Sequence, residues 1–504
     1  MAENLPVKPD TPFSDEVIRL STLDQQAQRH YAKVLAFFRI DHGGKRDSVI
    51  NQLRRGLAVS LSETPDFASM VAPVPGSTRK ELQLQLGPDS AVPWRVIDYT
   101  LQQAAPENVW QYGSYDEIAS RHFSVVDIPP QLLVDPACLH VPEDAQEVPA
   151  LAIQVNLIRG GLILAICWHH TVCDARSLNV LANSWARHTA ASLTNGGADS
   201  SPSQPAEGTR ERWRLNYGSR NAALADMPDY MADAAARSPL SAGSAHLHDR
   251  VDPVETPFVI STWYFSAAAL QSLRSVLGAA SAANESFTSV EAASALAWRH
   301  VTRARFLPSG EHADAHGADE ADEADGADRA GQLEGTSLFS TRLDFRARLR
   351  PPLPGDFIGN VCEPNARARV PLSEVCAPGP RALAALASAI RAGTEAVDDA
   401  VVRAYIGLVN ELPAVTDLTW GYDLFPGPDL GVTDLSGLDS LRADWGPRLG
   451  APECVRLATR ENGLVYIFPT DRDGGFEVQV QCEAEAVERM KRDGEFTEYA
   501  AFIV

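Results

Sequence analysis

Two adjacent histidines followed by an aspartate stand where an apolar segment of the chain ends. The apolar run Ile163–Trp168 leads directly into His169 and His170, and Asp174 follows four positions after the second histidine. A neutral imidazole, whose ordinary pKa is about 6.5, can accept a proton near neutral pH. The spacing therefore indicates that His170 is a candidate general base, with Asp174 either orienting the ring or bracing the chain around it.

The elements around the histidines would hold such a base on a rigid support. The run before them is short, apolar and bounded by turn residues, which predicts a buried strand. A second apolar run, Leu151–Ile158, precedes it, and Arg159–Gly161 between the two is typical of a hairpin connection. Apolar residues then recur at helical spacing from 178 to 185, and Asp174 is a favourable N-cap. The histidine pair is therefore predicted to lie in a tight strand-to-helix turn.

A purely structural interpretation competes with this one. On its own, a short His-x-x-x-Asp pattern favours a core histidine at position 170 and an aspartate that only caps a helix. The strand, hairpin and helix around the pattern favour the functional interpretation. A thiol nucleophile at Cys173 is a lesser alternative. No metal site is predicted, because adjacent side chains on a strand diverge and no cluster of further ligands stands beside the histidines.

Composition excludes several classes of function. The chain has 504 residues, which is too many for one core and predicts two domains. Its net charge of −22 argues against nucleic acid as a partner. No apolar run is long enough to cross a membrane, and the N-terminus does not look like a secretory signal. Seven cysteines without a Cys-x-x-Cys pair are typical of reduced thiols in a cytoplasmic protein.

Shifts in composition along the chain predict its organisation as a mixed α/β protein. Residues 1–195 form a first domain that carries the histidines, residues 196–255 a crossover linker, and residues 256–504 a second domain. A strand is expected at 340–346, and a turn leading into another strand at 355–360. Residues 309–335 hold nine acidic residues and one arginine, a net charge of −8, and are predicted to be a disordered insertion.

Six stretches resemble, in order, the motifs of the BAHD acyltransferases, chiefly the fungal O-acetyltransferase branch that includes the trichothecene acetyltransferases. Each motif is short, but their order and spacing together are fairly specific. The matching stretches are Leu20–Asp24 (Leu-Ser-x-x-Asp), His170–Asp174 (His-x-x-x-Asp), Ser289–Trp298 (a channel helix), Asp344–Arg346 (Asp-x-Arg), Phe357–Asn360 (Tyr-Phe-Gly-Asn in the family) and Asp444–Gly450 (Asp-Phe-Gly-Trp-Gly in the family).

The resemblance implies a fold and an activity. The fold would consist of two chloramphenicol-acetyltransferase-like α/β domains, with mixed sheets flanked by helices and an active-site channel between them. The activity would be transfer of an acyl group from acyl-CoA to a hydroxyl of a small secondary metabolite. The resemblance to the O-acetyltransferase branch implies that this acyl group is acetyl. In this family His170 matches the general base, and the acceptor attacks the thioester directly. The resemblance further implies a monomer with no permanently bound cofactor, with acyl-CoA as co-substrate.

The same resemblance assigns roles to the other motif residues. Asp174 is implied to pair with Arg346 and to be structural, and Asp444 to brace its loop. The candidate contacts to the oxyanion or to substrate are Thr433, Asn360 and Trp445. Three departures affect the site: Ala175 replaces a usual glycine, Leu435 replaces a usual tryptophan, and the later loop keeps only Asp444 and Gly446 of its motif.

Three alternatives stay open from the sequence. The acyl group could come from a carrier protein, as in condensation domains, although an acidic surface mildly disfavours contact with an acidic carrier. The chain could instead be a non-catalytic relative that binds an apolar metabolite in the channel. Finally, an amine could replace the hydroxyl as acceptor, because the same base serves both reactions.

Overall fold

The fold was analysed in a computed structural model. It describes residues 2–40, 46–101, 110–142, 145–191, 210–232, 258–307, 331–424, 427–458, 464–470 and 473–504. Most of the predicted acidic insertion and of the crossover linker lies outside these residues.

A six-stranded mixed sheet carries the histidine motif. Its strand order is β1-β6-β8-β9-β3-β16, with β6 and β8 parallel and the other neighbours antiparallel. Every residue of the two central strands β8 and β9 is buried, including Gln154 and Asn156 of β8, as the mainly apolar composition of both strands predicts. The strands are β1 (Ala2–Asn4), β3 (Tyr31–Arg39), β6 (Trp94–Asp98), β8 (Leu151–Ile158), β9 (Gly161–His169) and β16 (Cys454–Leu457).

A seven-stranded mixed sheet forms the centre of the other half. Its order is β13-β12-β15-β17-β18-β11-β19, and β12, β15 and β17 run parallel to one another. These strands are β11 (Phe258–Phe265), β12 (Thr336–Thr341), β13 (Ala366–Pro371), β15 (Leu430–Asp434), β17 (Leu464–Pro469), β18 (Phe476–Glu483) and β19 (Ala501–Phe502). Two smaller sheets join β2 (Glu16–Arg19), β5 (Leu82–Leu86), β4 (Met70–Pro73) and β7 (Val148–Pro149), and β10 (Tyr230–Ala232) with β14 (Leu418–Trp420).

Most helices pack their apolar faces into the cores of the two large sheets, whereas Thr22–Gln26 and Asp399–Glu411 contribute to a separate apolar cluster. They are α1 (Thr22–Gln26), α2 (Arg46–Glu63), α3 (Tyr115–Ser120), α4 (Pro130–Leu133), α5 (Ala175–Ala191), α6 (Ala267–Ala280), α7 (Ser289–Phe306), α8 (Leu372–Val375), α9 (Pro380–Glu395), α10 (Asp399–Glu411), α11 (Ala484–Met490) and α12 (Gly494–Thr497). Helices α2 and α5 pack together closely: a Cβ atom on Gly56 would lie 2.3 Å from the Thr189 hydroxyl oxygen. This packing anchors the helix that follows the histidine turn.

Two local predictions from the sequence are wrong. The strand expected at 340–346 ends at Thr341, because Asp344 Oδ1 accepts a hydrogen bond from the backbone of Arg346 and turns the chain there. The turn expected at 355–360 is present, but residues 357–361 form no strand, and the next strand, β13, begins only at Ala366. Gly359, Asn360 and Val361 donate their backbone N–H groups to side chains of the first half of the chain instead of to a neighbouring strand.

The boundary between the two halves also differs from the predicted one. The strand β16 was assigned with the rest of 256–504 to the second domain. It pairs antiparallel with β3, so Cys454–Leu457 form an edge of the first sheet. Trp445 and Leu449, just before it, pack in the same apolar core as β8 and β9. The chain therefore returns to the first half before it completes the second sheet.

Candidate active site

The histidine motif occupies the strand-to-helix turn that the sequence predicts. Strand β9 ends at His169 and α5 begins at Ala175. Asp174 caps the helix, because its Oδ1 accepts a hydrogen bond of 2.8 Å from the Ser177 N–H. Ala175 takes the first helical position and has a negative φ, so the absence of the family's glycine strains nothing.

His170 lies in this turn with its backbone fixed on both sides. Its N–H donates to the His30 carbonyl at 2.9 Å, and its carbonyl accepts from Asn360 Nδ2 at 2.9 Å. Its side chain is half-buried, with the ring centroids of His30 and Trp168 at 6.0 and 6.5 Å. The imidazole therefore stands on a rigid backbone and is still partly open to solvent.

Asp174 and Arg346 form a buried, bidentate ion pair. The two Nη atoms of Arg346 each donate to one carboxylate oxygen of Asp174, both at 3.0 Å. Arg346 Nη2 also donates to the hydroxyl of Ser177 and to the carbonyls of Phe357 and Gly359. The pair joins the first half of the chain to the second, and the pairing that the resemblance implied is present in the structure.

The charges of this pair are mutually stabilised. Burial by itself would raise the pKa of Asp174, but the charge of Arg346 and hydrogen bonds from Arg346, Ser177 and Val361 lower it below its ordinary value. Burial likewise opposes the charge of Arg346, and Asp174 raises its pKa instead. Asp174 is therefore a carboxylate whose oxygens are taken up by the turn and by Arg346.

His169 is held differently from its neighbour. Its ring is fully buried, its Nδ1 lies 2.8 Å from the Thr171 hydroxyl, and the Tyr31 ring packs edge-on at 5.5 Å. Burial, with the neighbouring Arg29 and His170 side chains, lowers the pKa of His169 to about 3. His169 is consequently neutral and enclosed, which suits a supporting role.

Asn360 braces the histidine turn. Its side-chain nitrogen donates both to the His170 carbonyl and to Asp24 Oδ1, at 2.9 and 3.1 Å. An oxyanion needs hydrogen-bond donors, and the donors of this buried side chain are already engaged. The structure therefore assigns Asn360 to the turn and not to the oxyanion or substrate contact considered from the sequence.

Sequence reasoning missed two residues that reach this turn. Asp24, in the Leu-Ser-x-x-Asp stretch, accepts from Asn360 and from Arg212 Nη1, the latter at 2.7 Å. Arg212 also donates to the carbonyl of Val172 at 2.9 Å. The signal for Asp24 was present in its motif, whereas nothing in the local pattern around Arg212 distinguishes it from the neighbouring surface arginines.

Thr433 and Leu435 lie at the end of β15. Thr433 is half-buried, and Leu435 forms a small apolar cluster with Tyr466 and Phe468 against which Ala175 packs. Thr433 pairs in register with Tyr466 of β17, so its side chain is on the face of the sheet that carries Tyr466 and this cluster. The end of β15 is thereby brought against the first residue of α5, next to the histidine turn.

Asp444 and Trp445, although adjacent, have different surroundings. Asp444 is exposed, and its Oδ1 accepts from the Gly446 N–H at 2.9 Å within its own loop. Trp445 is buried between Phe38 and Trp185, with ring centroids at 5.6 and 5.1 Å. The ring of Trp445 is thus enclosed in the first core, which makes it a packing residue and not the substrate contact considered from the sequence.

The thiols and carboxylates do not provide other chemistry at this turn. Burial raises the pKa of Cys173 well above its ordinary value, so its thiolate is disfavoured as a nucleophile. All seven cysteines are free. Within the part of the chain that the structure describes, no group of three His, Cys, Asp or Glu residues could hold a metal ion, and no helix has the length and apolarity to cross a membrane.

A cleft of about 170 Å³ opens between the two large sheets, away from His169 and His170. Cys454, Arg456 and Glu477 are among its lining residues. In the first sheet Cys454 of β16 pairs with Phe37 of β3, and Phe37 pairs with Ile163 of β9. Ile163 lies six residues before His169 on the same strand. At a rise of roughly 3.3 Å per residue, this part of the cleft is on the order of 20 Å along the strand from His169.

Two mixed sheets joined by a buried Asp–Arg pair beside a half-buried histidine define the BAHD-type acyltransferase fold, and solved structures match it. The structure of F. graminearum TRI101 complexed with coenzyme A and T-2 mycotoxin superimposes with a TM-score of 0.74, covering 97% of this chain and 100% of that one at 16% identity. Vinorine synthase matches with a TM-score of 0.59 at 15% identity, covering 97% and 96%. At these identities the likeness concerns the fold alone.

Sequence comparison gives the family. The model of the Transferase family matches residues 131–497, and that of the trichothecene 3-O-acetyltransferase-like N-terminal domain matches residues 30–184. Acyltransferase easC of Emericella nidulans is 48% identical, covering 99% of this chain and 98% of its own length. Acyltransferase cm3D of Cordyceps militaris is 46% identical, covering 98% and 99%. The chain therefore belongs to the Transferase family, as an acyltransferase, and the resemblance drawn from the motifs is confirmed.

Proposed function

We propose that the protein is an acyl-CoA-dependent O-acyltransferase of secondary metabolism, in which His170 removes the proton of the acceptor hydroxyl. TRI101 of F. graminearum has been solved with coenzyme A and with deoxynivalenol, which supports a CoA thioester as donor and a small hydroxylated acceptor. Acetyl is the expected acyl group, because the chain resembles the O-acetyltransferase branch of the family. The enzyme then needs no permanently bound cofactor, and acyl-CoA is a co-substrate.

One observation carries the proposal: His170 is half-buried on a fixed turn, while Asp174, four residues later, is fully engaged. The Asp174 oxygens accept from Arg346, Ser177 and Val361. Asp174 is therefore not available as a proton acceptor. The imidazole of His170 is left as the group that can take a proton as the acceptor oxygen attacks.

In the proposed reaction the acceptor oxygen attacks the thioester carbonyl as its proton passes to His170. The tetrahedral intermediate then collapses, CoA leaves as the thiol with the proton from His170, and the ester is formed without an acyl-enzyme intermediate. The negative charge on the carbonyl oxygen needs a fixed donor. We place the Thr433 hydroxyl in that role, because it shares a sheet face with Tyr466, whose cluster packs against the start of α5.

Replacement of His170 by alanine tests the base. We expect kcat to fall by about 10²- to 10⁴-fold, the usual contribution of a general base, with the thermal midpoint close to that of the parent. CoA release and product mass are the measurements, with acetyl-CoA and longer acyl-CoA donors offered to hydroxylated and amine acceptors. A His170→Ala enzyme that turns over at the parental rate would remove His170 from the mechanism.

His169→Asn is the matched control for this experiment. It alters the adjacent imidazole, which is enclosed beside Thr171 and Tyr31. We expect its kcat at pH 7.5 to remain within about 5-fold of the parent, because the change leaves the proposed base in place. Equal losses in both variants would point to damage of the turn and not to loss of a base.

A further inference from the structure

A second buried arginine contacts the histidine turn. Arg212 stands in a short 3-10 helix within the predicted crossover linker 196–255, and only 2% of its surface is exposed. Its Nη2 donates to the carbonyl of Val172 at 2.9 Å, midway between His170 and Asp174. The turn is therefore held by two guanidinium groups, one from Arg346 and one from Arg212.

Arg212 is itself fixed by two fully buried carboxylates. Its Nη1 lies 2.7 Å from Asp24 Oδ2, and its Nη2 and Nε lie 2.9 and 3.2 Å from Asp66 Oδ1. Burial by itself would raise the pKa of Asp66, but the charges of Arg212 and Arg210 lower it below its ordinary value. A planar guanidinium can serve both carboxylates and the Val172 carbonyl at once, which a lysine ammonium cannot do with the same geometry.

The same network reaches His170 by a second route. Asp24 Oδ1 accepts from both the backbone N–H and the side-chain nitrogen of Asn360, at 2.7 and 3.1 Å. That side-chain nitrogen also donates to the His170 carbonyl. Gly359 allows this approach, because a Cβ there would lie 3.1 Å from Arg212 Nη1.

We propose that Arg212 is a positioning residue for acyl transfer. It fixes the Val172 carbonyl directly and the His170 carbonyl through Asp24 and Asn360, and so sets where the imidazole stands relative to the reacting atoms. The inference rests on the proposed role of His170 as base. A displacement of about 1 Å at a reacting group can cost about 10²-fold in rate, so this role is measurable.

Arg212→Lys tests it, with Arg210→Lys as the matched control. Arg210 belongs to the same segment and pairs with Asp66 and Glu16 at 2.9 and 3.3 Å, but its hydrogen bonds go to those carboxylates and not to the turn. We expect Arg212→Lys to lower kcat by about 10- to 100-fold, with both KM values within about 3-fold of the parent. Arg210→Lys should keep kcat within about 3-fold. Thermal midpoints are compared for both.

Asn360→Ala provides a second test that keeps every buried charge. It removes only the link between Asp24 and His170, and the same fall in kcat at nearly constant KM is expected. Asn365→Ala is its control: Asn365 is a buried residue of the same loop whose side-chain amide donates to Tyr422, while its backbone N–H donates to Tyr230 and is kept in the variant. A folded Arg212→Lys or Asn360→Ala enzyme with parental kcat would overturn the inference. So would losses that only follow the folded fraction of each variant.

The His170→Ala enzyme separates this inference from the function itself. If His170→Ala is inactive and Arg212→Lys is fully active, only the positioning role fails. If His170→Ala is fully active, the proposed base fails first. The pH profile of kcat/KM is a further measurement for the folded variants. A shift of the apparent pKa in Arg212→Lys that is absent in Arg210→Lys indicates that the environment of the His170 imidazole has changed.

Discussion

Asp174 and Asp444 both belong to motifs of the family, but the two carboxylates face different surroundings. Asp174 is buried and holds Arg346, whereas Asp444 is exposed and accepts one backbone hydrogen bond from Gly446. A charge left unpaired inside a protein is costly, and a charge removed from the surface is not. The two aspartates should therefore differ sharply in their contribution to stability.

Asp174→Asn should lower the free energy of unfolding by about 3 kcal/mol, because the buried guanidinium of Arg346 loses its buried carboxylate partner and keeps only the partly exposed Asp344. Asp444→Asn should change it by no more than about 0.5 kcal/mol, since the asparagine oxygen can still accept from Gly446. Urea unfolding followed by fluorescence measures both. Comparable losses in the two variants would contradict the assignment.

His169 makes stability depend on pH. Its pKa is lowered from an ordinary value of 6.5 to about 3, so between these values the unfolded chain holds a proton that the folded chain does not. Its contribution is fully present above about pH 6.5 and is lost as the pH falls, by at most about 1.4 kcal/mol per pH unit.

His169→Asn should flatten the loss of stability between pH 6.5 and pH 4, because asparagine does not titrate. Urea unfolding at several pH values measures the slope. His140→Asn, which alters an exposed histidine, controls for the loss of an imidazole in general. An unchanged slope in His169→Asn would show that other groups cause the acid sensitivity.

At the level of elements, the segment 357–361 acts as a joint between the two halves. Its backbone N–H groups at Gly359, Asn360 and Val361 donate to Ser177, Asp24 and Asp174. Gly359 has a φ of 150°, and a Cβ on it would lie 2.9 Å from the Phe357 ring. No other residue fits this position without displacing the joint.

Gly359→Ala should destabilise the protein by about 1–3 kcal/mol, the usual cost of overpacking, and lower kcat by about 10-fold or more through the displaced turn. Thermal unfolding and CoA release are the measurements. Gly355→Ala in the same loop is the control, because nothing lies within 4 Å of its added methyl group. Parental kcat in Gly359→Ala would show that the joint tolerates displacement.

At the level of the whole molecule, β16 couples the two sheets. Arg456 on β16 pairs with Glu477 on β18 at 2.7 Å and donates to the His122 carbonyl at 2.9 Å. Only 3% of the Arg456 surface is exposed. This pair connects the first sheet to the second at the wall of the interdomain cleft.

Arg456→Gln should lower the free energy of unfolding by about 3 kcal/mol and reduce its cooperativity, because Glu477 loses its partner and the halves lose a connection. A smaller denaturant dependence or a second transition in urea, by fluorescence and circular dichroism, would show this. Arg39→Gln removes exposed pairs with Glu453 and Asp116 and should cost no more than about 1 kcal/mol. A single, equally steep transition in Arg456→Gln would contradict the coupling.

Sequence alone determined the local parts of this protein. The apolar runs of β8 and β9, the hairpin between them and the capped helix α5 follow from periodicity and turn chemistry, because these signals act over a few residues. The order of the motifs identified the family and its fold. The monomeric state and the roles proposed for His170 and Thr433 stay predictions.

Tertiary structure decided what brings distant residues together. Arg212 has no local signal, yet it contacts Asp24 and Asp66, which lie 188 and 146 positions earlier in the chain. Residues 357–361 do not form the expected strand, because the backbone N–H groups of Gly359, Asn360 and Val361 donate to side chains in the other half of the chain. Such contacts depend on which surfaces the two halves present to each other. The sequence therefore predicts the candidate base and its turn, whereas only the folded chain shows how that turn is held.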